Sequence, residues 1–190
     1  MKVLLHICCA PCAVYPVDKL SAAGHRVRGF FYNPNIHPYQ EFARRLATLE
    51  DYAARTGLPI IWDRSYHLEE FLRTIVFREE DRCRFCYYLR LKATARVAKG
   101  GKFDAFTSTL LYSKFQNHEM IRELGEQVVQ EVGVPFYYVD FRQGWATGIA
   151  QSKKLGLYKQ QYCGCIFSER DRFLPPPRPS RGNGPARRDP

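Results

Sequence analysis

KVLLHICCAPC, residues 2–12, is the stretch on which the fold depends. Lys2–Ile7 is an apolar run of strand length, and the chain then enters a helix expected over Val14–Ala23, with Gly24 as its stop signal. A strand that runs straight into a helix is the first half of a βαβ unit. In nucleotide-binding folds this turn is rich in glycine, because the backbone must approach a phosphate closely. Here it reads Cys8-Cys9-Ala10-Pro11-Cys12. Thiols replace the phosphate loop, so ATP, NAD and FAD are not expected as cofactors.

The same alternation continues along the chain. A second strand is expected at Val27–Tyr32, followed by the turn Asn33-Pro34-Asn35 and a long helix from Pro38 to Thr56 that stops at Gly57. Pro59–Trp62 is a third strand. His67–Phe77 and Cys86–Ala98 read as helices, with Cys83-x-x-Cys86 at the mouth of the second. Ala105–Thr109 is a fourth strand, His118–Glu131 a helix ending at Gly133, Pro135–Asp140 a fifth strand, and Trp145–Leu155 a helix before the Cys163-x-Cys165 turn. Right-handed βαβ crossovers of this kind build a parallel sheet sandwiched by helices, a Rossmann-like α/β fold. Such sheets bind ligands beyond the carboxyl ends of their strands, near the topological switch point.

With 190 residues the chain is expected to be a single domain over 1–173. After Leu174 it becomes PPPRPSRGNGPARRDP, which has no apolar periodicity, and 174–190 is expected to be a disordered basic tail. The formal net charge is +10, and the body stays basic without the tail. Of the 29 basic residues 20 are arginine, whose planar fork suits phosphate and stacks on bases, and 14% of the chain is aromatic. That combination favours a nucleic-acid partner over a merely solvated surface.

The opening apolar run is shorter than a secretory core of roughly 7 to 15 residues and lacks a small-residue cleavage site. No stretch approaches the ~18 apolar residues that span a bilayer. A cytoplasmic protein with no membrane association is therefore expected. In a reducing compartment the seven cysteines, two of them adjacent, are poor disulfide material and good thiolate ligands. They fall into three groups, Cys8-Cys9-x-x-Cys12, Cys83-x-x-Cys86 and Cys163-x-Cys165, and offer more sulfur than one tetrahedral metal needs. A metal cluster or two metal centres is the natural reading.

Five strings sharpen it: LLHICCAPC (4–12), FYNPNIHPYQEFARR (31–45), CRFCYYLRL (83–91), FTSTLLYSKFQN (106–117) and VDFRQGWATGIAQSKKLGLYKQQYCGCIFSER (139–170). Together, in this order over residues 3–170, they resemble the QueH family of epoxyqueuosine reductases. The resemblance implies a HUP-type α/β domain that carries a [4Fe-4S] cluster with a second metal ion nearby. It also implies an activity, removal of the epoxide oxygen of epoxyqueuosine in a tRNA anticodon loop to give queuosine. Reducing an epoxide to an alkene takes two electrons and two protons, so an external electron donor is expected as well.

By their spacing Cys8, Cys83, Cys86 and one of Cys163 or Cys165, taken as Cys163, are assigned to the cluster. Cys9, Cys12 and Cys165 are left for a mononuclear ion, iron or zinc. Asp140, Tyr162 and Cys9 form the candidate catalytic set. Asn35, His37, Ser108, Thr109, Ser113, Gln116 and Arg142 are candidates for holding the nucleoside, with Tyr112 beside them, and Tyr158, like Tyr162, is a candidate proton donor or a core tyrosine. Asp140 has rival tasks in orienting Arg142 or capping the next helix. His6 reads as a core histidine or as a donor to a thiolate. Arg44, Arg45, Arg84, Lys153, Lys154 and Lys159 are candidates for the tRNA backbone. A structural zinc module that binds RNA and a thiol-disulfide oxidoreductase built on Cys83-x-x-Cys86 are the alternative functions.

Overall fold

A computed structural model of the protein describes residues 1–175. All but Leu174 and Pro175 of the expected tail therefore lies outside the described residues. The elements in chain order are β1 (Lys2–His6), α1 (Ala10–Ala22), β2 (Arg26–Phe31), α2 (Tyr39–Thr56), β3 (Ile60–Trp62), α3 (Leu68–Ile75), α4 (Arg82–Gly100), β4 (Ala105–Ser108), α5 (His118–Val132), α6 (Trp145–Lys154) and α7 (Ile166–Phe173). Short 3-10 turns stand at Glu79–Asp81, Thr109–Tyr112 and Phe141–Gly144.

The four strands form one parallel sheet in the order β3-β2-β1-β4. Val3, Leu4 and Leu5 of β1 are fully buried, as a central strand covered on both faces must be. Helix α1 packs on β2 and α2, while α4 packs on β1, β4 and α5. The result is the Rossmann-like sandwich expected from the alternating pattern. The chain builds outward from β1 to β2 and β3, then crosses back to place β4 on the other flank of β1. The carboxyl ends of β1 and β4 thus diverge at the switch point, and Cys8 and Thr109 follow directly from them.

Several boundaries differ from expectation for identifiable reasons. Helix α1 begins at Ala10 instead of Val14, because Pro11 in its first turn needs no amide partner and is preset for helical geometry. Cys9 is consequently its N-cap and Cys12 lies in its first turn. Helix α4 starts at Arg82 instead of Cys86, so Cys83 joins Cys86 in its first turns. The fifth strand at Pro135–Asp140 reduces to a single parallel bridge between Phe106 and Phe136. Pro135 has no amide to extend a ladder, the Tyr138 amide turns back onto the Phe136 carbonyl at 3.1 Å, and β4 itself passes into a 3-10 turn after Ser108. Helix α7 is an addition to the expected elements. It is capped by the Cys165 sulfur, which accepts from the Ser168 amide, and cysteine is an unusual cap to read from sequence.

Candidate metal centre

The sulfurs of Cys8, Cys9 and Cys12 lie within 4.8 Å of one another, where β1 turns into the N-terminus of α1. Among the described residues no other set of three or more His, Cys, Asp or Glu side chains converges as closely. Thr109, from the neighbouring strand end, closes the turn: its Oγ1 accepts from the Cys8 amide at 3.2 Å and donates to the Cys8 sulfur at 3.4 Å. Cys8 and Cys9 sulfurs are 3.7 Å apart, and Gln160 Nε2 donates to Cys12 at 3.5 Å. Donation from the Cys12 and Cys9 thiols holds Cys8 well below the usual thiol range, with Thr109 adding to the effect. Burial pushes Cys9 upward, and donation to Cys8 and Cys9 does the same to Cys12. The three thiols thus share protons around one favoured thiolate, and a thiophilic cation would displace the protons that remain. Three sulfurs fit such an ion and leave one tetrahedral position without a protein ligand.

Cys83, Cys86, Cys163 and Cys165 form a second, looser group. Cys86 and Cys165 share a small apolar cluster with Phe71 and Ile75, while Cys83 and Cys163 are exposed. Burial raises Cys83, and burial pushes Cys86 up to about 12, with the charges of Cys163 and Cys165 adding to both shifts. Four thiolates drawn from two elements fit a cluster that is not itself tetrahedral about one ion. The pairing expected from spacing, Cys8 with Cys83, Cys86 and Cys163, is not how the side chains gather. Cys8 sits with Cys9 and Cys12, and Cys165 sits with Cys86.

Two arginines, both only 1% exposed, hold these groups in place. Arg45 Nε pairs with Glu41 at 2.7 Å, and its other nitrogens donate to the carbonyls of Cys163 at 2.8 Å and Tyr162 at 3.0 Å. It is therefore a clasp under the Cys163-x-Cys165 turn, and its burial rules out the backbone contact with tRNA expected for it. Arg90 donates to the Cys86 carbonyl at 3.1 Å and to the Cys86 sulfur at 3.0 Å. Among the described residues it meets no carboxylate, and the charges that reach it come first from Cys86, then Cys163 and Cys8. A buried guanidinium without an anion costs several kcal/mol, roughly, so thiolates are the counter-ions this position calls for. The i, i+4 relation between Cys86 and Arg90 is the available sequence signal for that contact.

The other expected residues divide. Gln116 belongs to the site, since its Nε2 donates to the Cys163 sulfur at 3.4 Å while its Oε1 accepts from Tyr87 at 2.7 Å. Asn35 is buried against Gly164, between the last two cysteines, and its Oδ1 has no partner. His37 is buried among Tyr66 and Phe71, and its amide donates to the Gly164 carbonyl at 2.8 Å. Tyr162 donates to the His37 carbonyl at 2.6 Å, and burial pushes its phenol up to about 12. Tyr158 donates to Glu41 at 2.7 Å. Ser108 and His6 are joined at 2.9 Å, and the second His6 nitrogen meets the Tyr32 carbonyl at 3.0 Å. Burial, then the charge of Arg90, lowers His6 to about 4, so it is a neutral core histidine. Ser113 accepts from the Phe115 amide at 3.2 Å. Both Asp140 oxygens are taken by Arg142, at 2.8 and 2.6 Å, and that pairing holds Asp140 down to about 2. Asp140 also caps the turn that follows it, so the orienting and capping alternatives describe its contacts. Arg44, Arg84, Lys153, Lys154 and Lys159 are exposed.

Comparison with known proteins places this arrangement in context. The family model described as epoxyqueuosine reductase QueH matches residues 3–171. A protein of Dehalococcoides mccartyi named epoxyqueuosine reductase QueH is 38% identical over 179 residues, covering 94% of this chain and 98% of its own. A protein of the same name from Thermotoga maritima is 37% identical, covering 87% and 89%. One from Histophilus somni is 32% identical, covering 90% and 73%.

Proposed function

The chain belongs to the epoxyqueuosine reductase QueH family, and from that membership we propose that it reduces epoxyqueuosine in tRNA to queuosine. The reaction takes two electrons and two protons, breaks both epoxide C–O bonds, and yields an alkene and water. The observation that carries the reading to this chain is the convergence of Cys8, Cys9 and Cys12 where β1 and β4 diverge, the position at which such folds hold their ligands.

We assign a [4Fe-4S] cluster to Cys83, Cys86, Cys163 and Cys165, and a single iron or zinc ion to Cys8, Cys9 and Cys12. When bound, these groups supply electrons one at a time and Lewis acidity at an open position. The chain's own residues do the rest. Arg45 fixes the Cys163-x-Cys165 turn, Arg90 balances thiolate charge, and Thr109 donates to the Cys8 sulfur. Gln116, beside Cys163, is the polar group best placed to meet the nucleoside at the rim. The electrons come from an external donor, and a tRNA substrate places the protein in the cytoplasm. No helix among the described residues is long and apolar enough to cross a membrane.

The test is anaerobic reconstitution with iron and sulfide, incubation with epoxyqueuosine-containing tRNA and a chemical reductant, and mass analysis of the nucleosides. Loss of one oxygen from the modified nucleoside is expected. A colourless, zinc-loaded protein that leaves the nucleoside unchanged would favour the alternative, a structural zinc module that binds RNA.

A further inference from the structure

The segment that leads from β4 to α5 carries an aromatic surface that the sulfur site does not use. Phe115 is 84% exposed, and its amide donates to Ser113 Oγ at 3.2 Å. The next residue, Gln116, is the one held to Cys163 and Tyr87. The Phe115 backbone is therefore one residue from a side chain that reaches Cys163. Trp145 meets the Phe115 ring edge-on, with centroids 5.9 Å apart, and stacks on Tyr112 at 5.1 Å. Tyr112 stacks in turn on Tyr15 at 6.3 Å. Helix α6 can lie this close because Gly144 and Gly148 have no side chain; a Cβ at either would collide with Tyr15 or with the Tyr112 hydroxyl. Lys114 Nζ lies 5.8 Å from the Trp145 ring.

A single exposed phenylalanine is ordinary. This one is backed by a column of rings, flanked by a cation and one residue from a cysteine contact. We propose that Phe115, Trp145 and Lys114 form a stacking shelf for a nucleotide adjacent to the modified base in the single-stranded loop of the tRNA. The proposal rests on the reading of the protein as a tRNA reductase. A neighbouring base lies on the aromatic face, which accepts any base, and Lys114 meets its phosphate. The shelf holds the loop while the modified base reaches past Gln116. RNA fits this surface better than a protein does, because residues 106–117 carry Lys114 and no acidic side chain, and α6 ends in Lys153 and Lys154.

The experiment uses the full reconstituted enzyme, an unmodified anticodon stem-loop RNA for binding, and epoxyqueuosine tRNA with a chemical reductant for turnover. Phe115→Ala should weaken stem-loop binding and raise KM roughly tenfold, with the effect falling on KM and not kcat, as loss of one base stack predicts. Phe115→Trp should restore binding, which separates stacking from a folding defect. In a Trp62→Phe background the stem-loop should quench the emission of Trp145, the tryptophan that remains. Unchanged binding and KM in Phe115→Ala, with the parent enzyme active, overturns the shelf. So does a defect seen only with a protein electron donor, because the surface would then dock that protein. If the parent binds the stem-loop through Phe115 yet leaves the nucleoside unreduced, the shelf stands and the proposed reaction fails.

Discussion

Cys8, Cys9 and Cys12 belong to one strand-to-helix turn, whereas Cys83, Cys86, Cys163 and Cys165 are brought together from the start of α4 and the turn before α7. The first group is placed by local backbone geometry, since an extended Cys9 at the helix N-cap and Cys12 in the first turn bring the sulfurs together with little help. The second group depends on distant contacts: the Arg45 clasp, the His37–Gly164 hydrogen bond and the packing of Phe71 and Ile75 around Cys86 and Cys165. A site made by one turn tolerates loosening elsewhere. A site made by a clasp does not.

The largest expected effect falls on the clasped group. Cys86→Ser should abolish cluster assembly and turnover, and Cys83→Ser should do the same, as read by iron, sulfide and visible absorption. Full iron and sulfide in both variants would remove them from the cluster. Arg45→Met is next. It leaves Glu41 buried and the Cys163 and Tyr162 carbonyls unpartnered, and breaking a buried ion pair costs about 3–5 kcal/mol. The cluster should be lost while the β1–α1 triad still binds one Co2+ with thiolate charge-transfer absorption. Equal loss of both sites would erase the distinction drawn between them.

A pH experiment sharpens the comparison from the triad's side. His6, directly behind that turn, is buried, and its folded pKa of about 4 lies below the ordinary histidine value of 6.5. The unfolded chain therefore binds more protons between pH 6.5 and 4, so stability is fully present above 6.5 and falls as pH drops through that window. The loss should approach about 3 kcal/mol, at 1.36 kcal/mol per pKa unit. Denaturant midpoints of the apo-protein should show it, and His6→Gln should reduce the slope to the smaller part left by His37 and His118, which burial also lowers. A wild-type curve level from pH 6.5 to 4.5 would contradict the buried neutral histidine.

The smallest effect concerns neither group. Removing residues 174–190 sheds Arg178, Arg181, Arg187 and Arg188 against Asp189. tRNA affinity should fall, and the slope of log affinity against log salt should drop by roughly 0.7 to 0.9 for each phosphate that the tail had neutralised. Turnover at saturating tRNA should be unaffected. A truncated enzyme that kept its cluster and could not turn over would extend the active site into the tail.

The fold is readable in the sequence because β1 is a buried apolar run, β2 ends in the buried pair Phe30-Phe31, and Gly57 and Gly133 end their helices in the left-handed conformation, at φ 71° and 80°. The fifth strand fails because its apolar run says nothing about whether β4 is long enough to pair with it. At the site, the sequence shows which thiols matter but not how they divide. Spacing along a chain carries no information on which side of a helix faces a distant turn, so it could not show that the Cys8 side chain gathers with Cys9 and Cys12. Arg90 escapes a sequence reading and Arg45 is read as a surface contact for tRNA, because arginine is so often solvated. Only tertiary packing reveals that these two are buried.

The division of the thiols is tested most directly by one variant, Cys8→Ser, reconstituted anaerobically and analysed for iron, sulfide and Mössbauer signature. A full [4Fe-4S] signal with the single ion weakened or absent is the predicted result. Loss of sulfide together with the cluster signal would return Cys8 to the cluster and contradict the separation of the two groups.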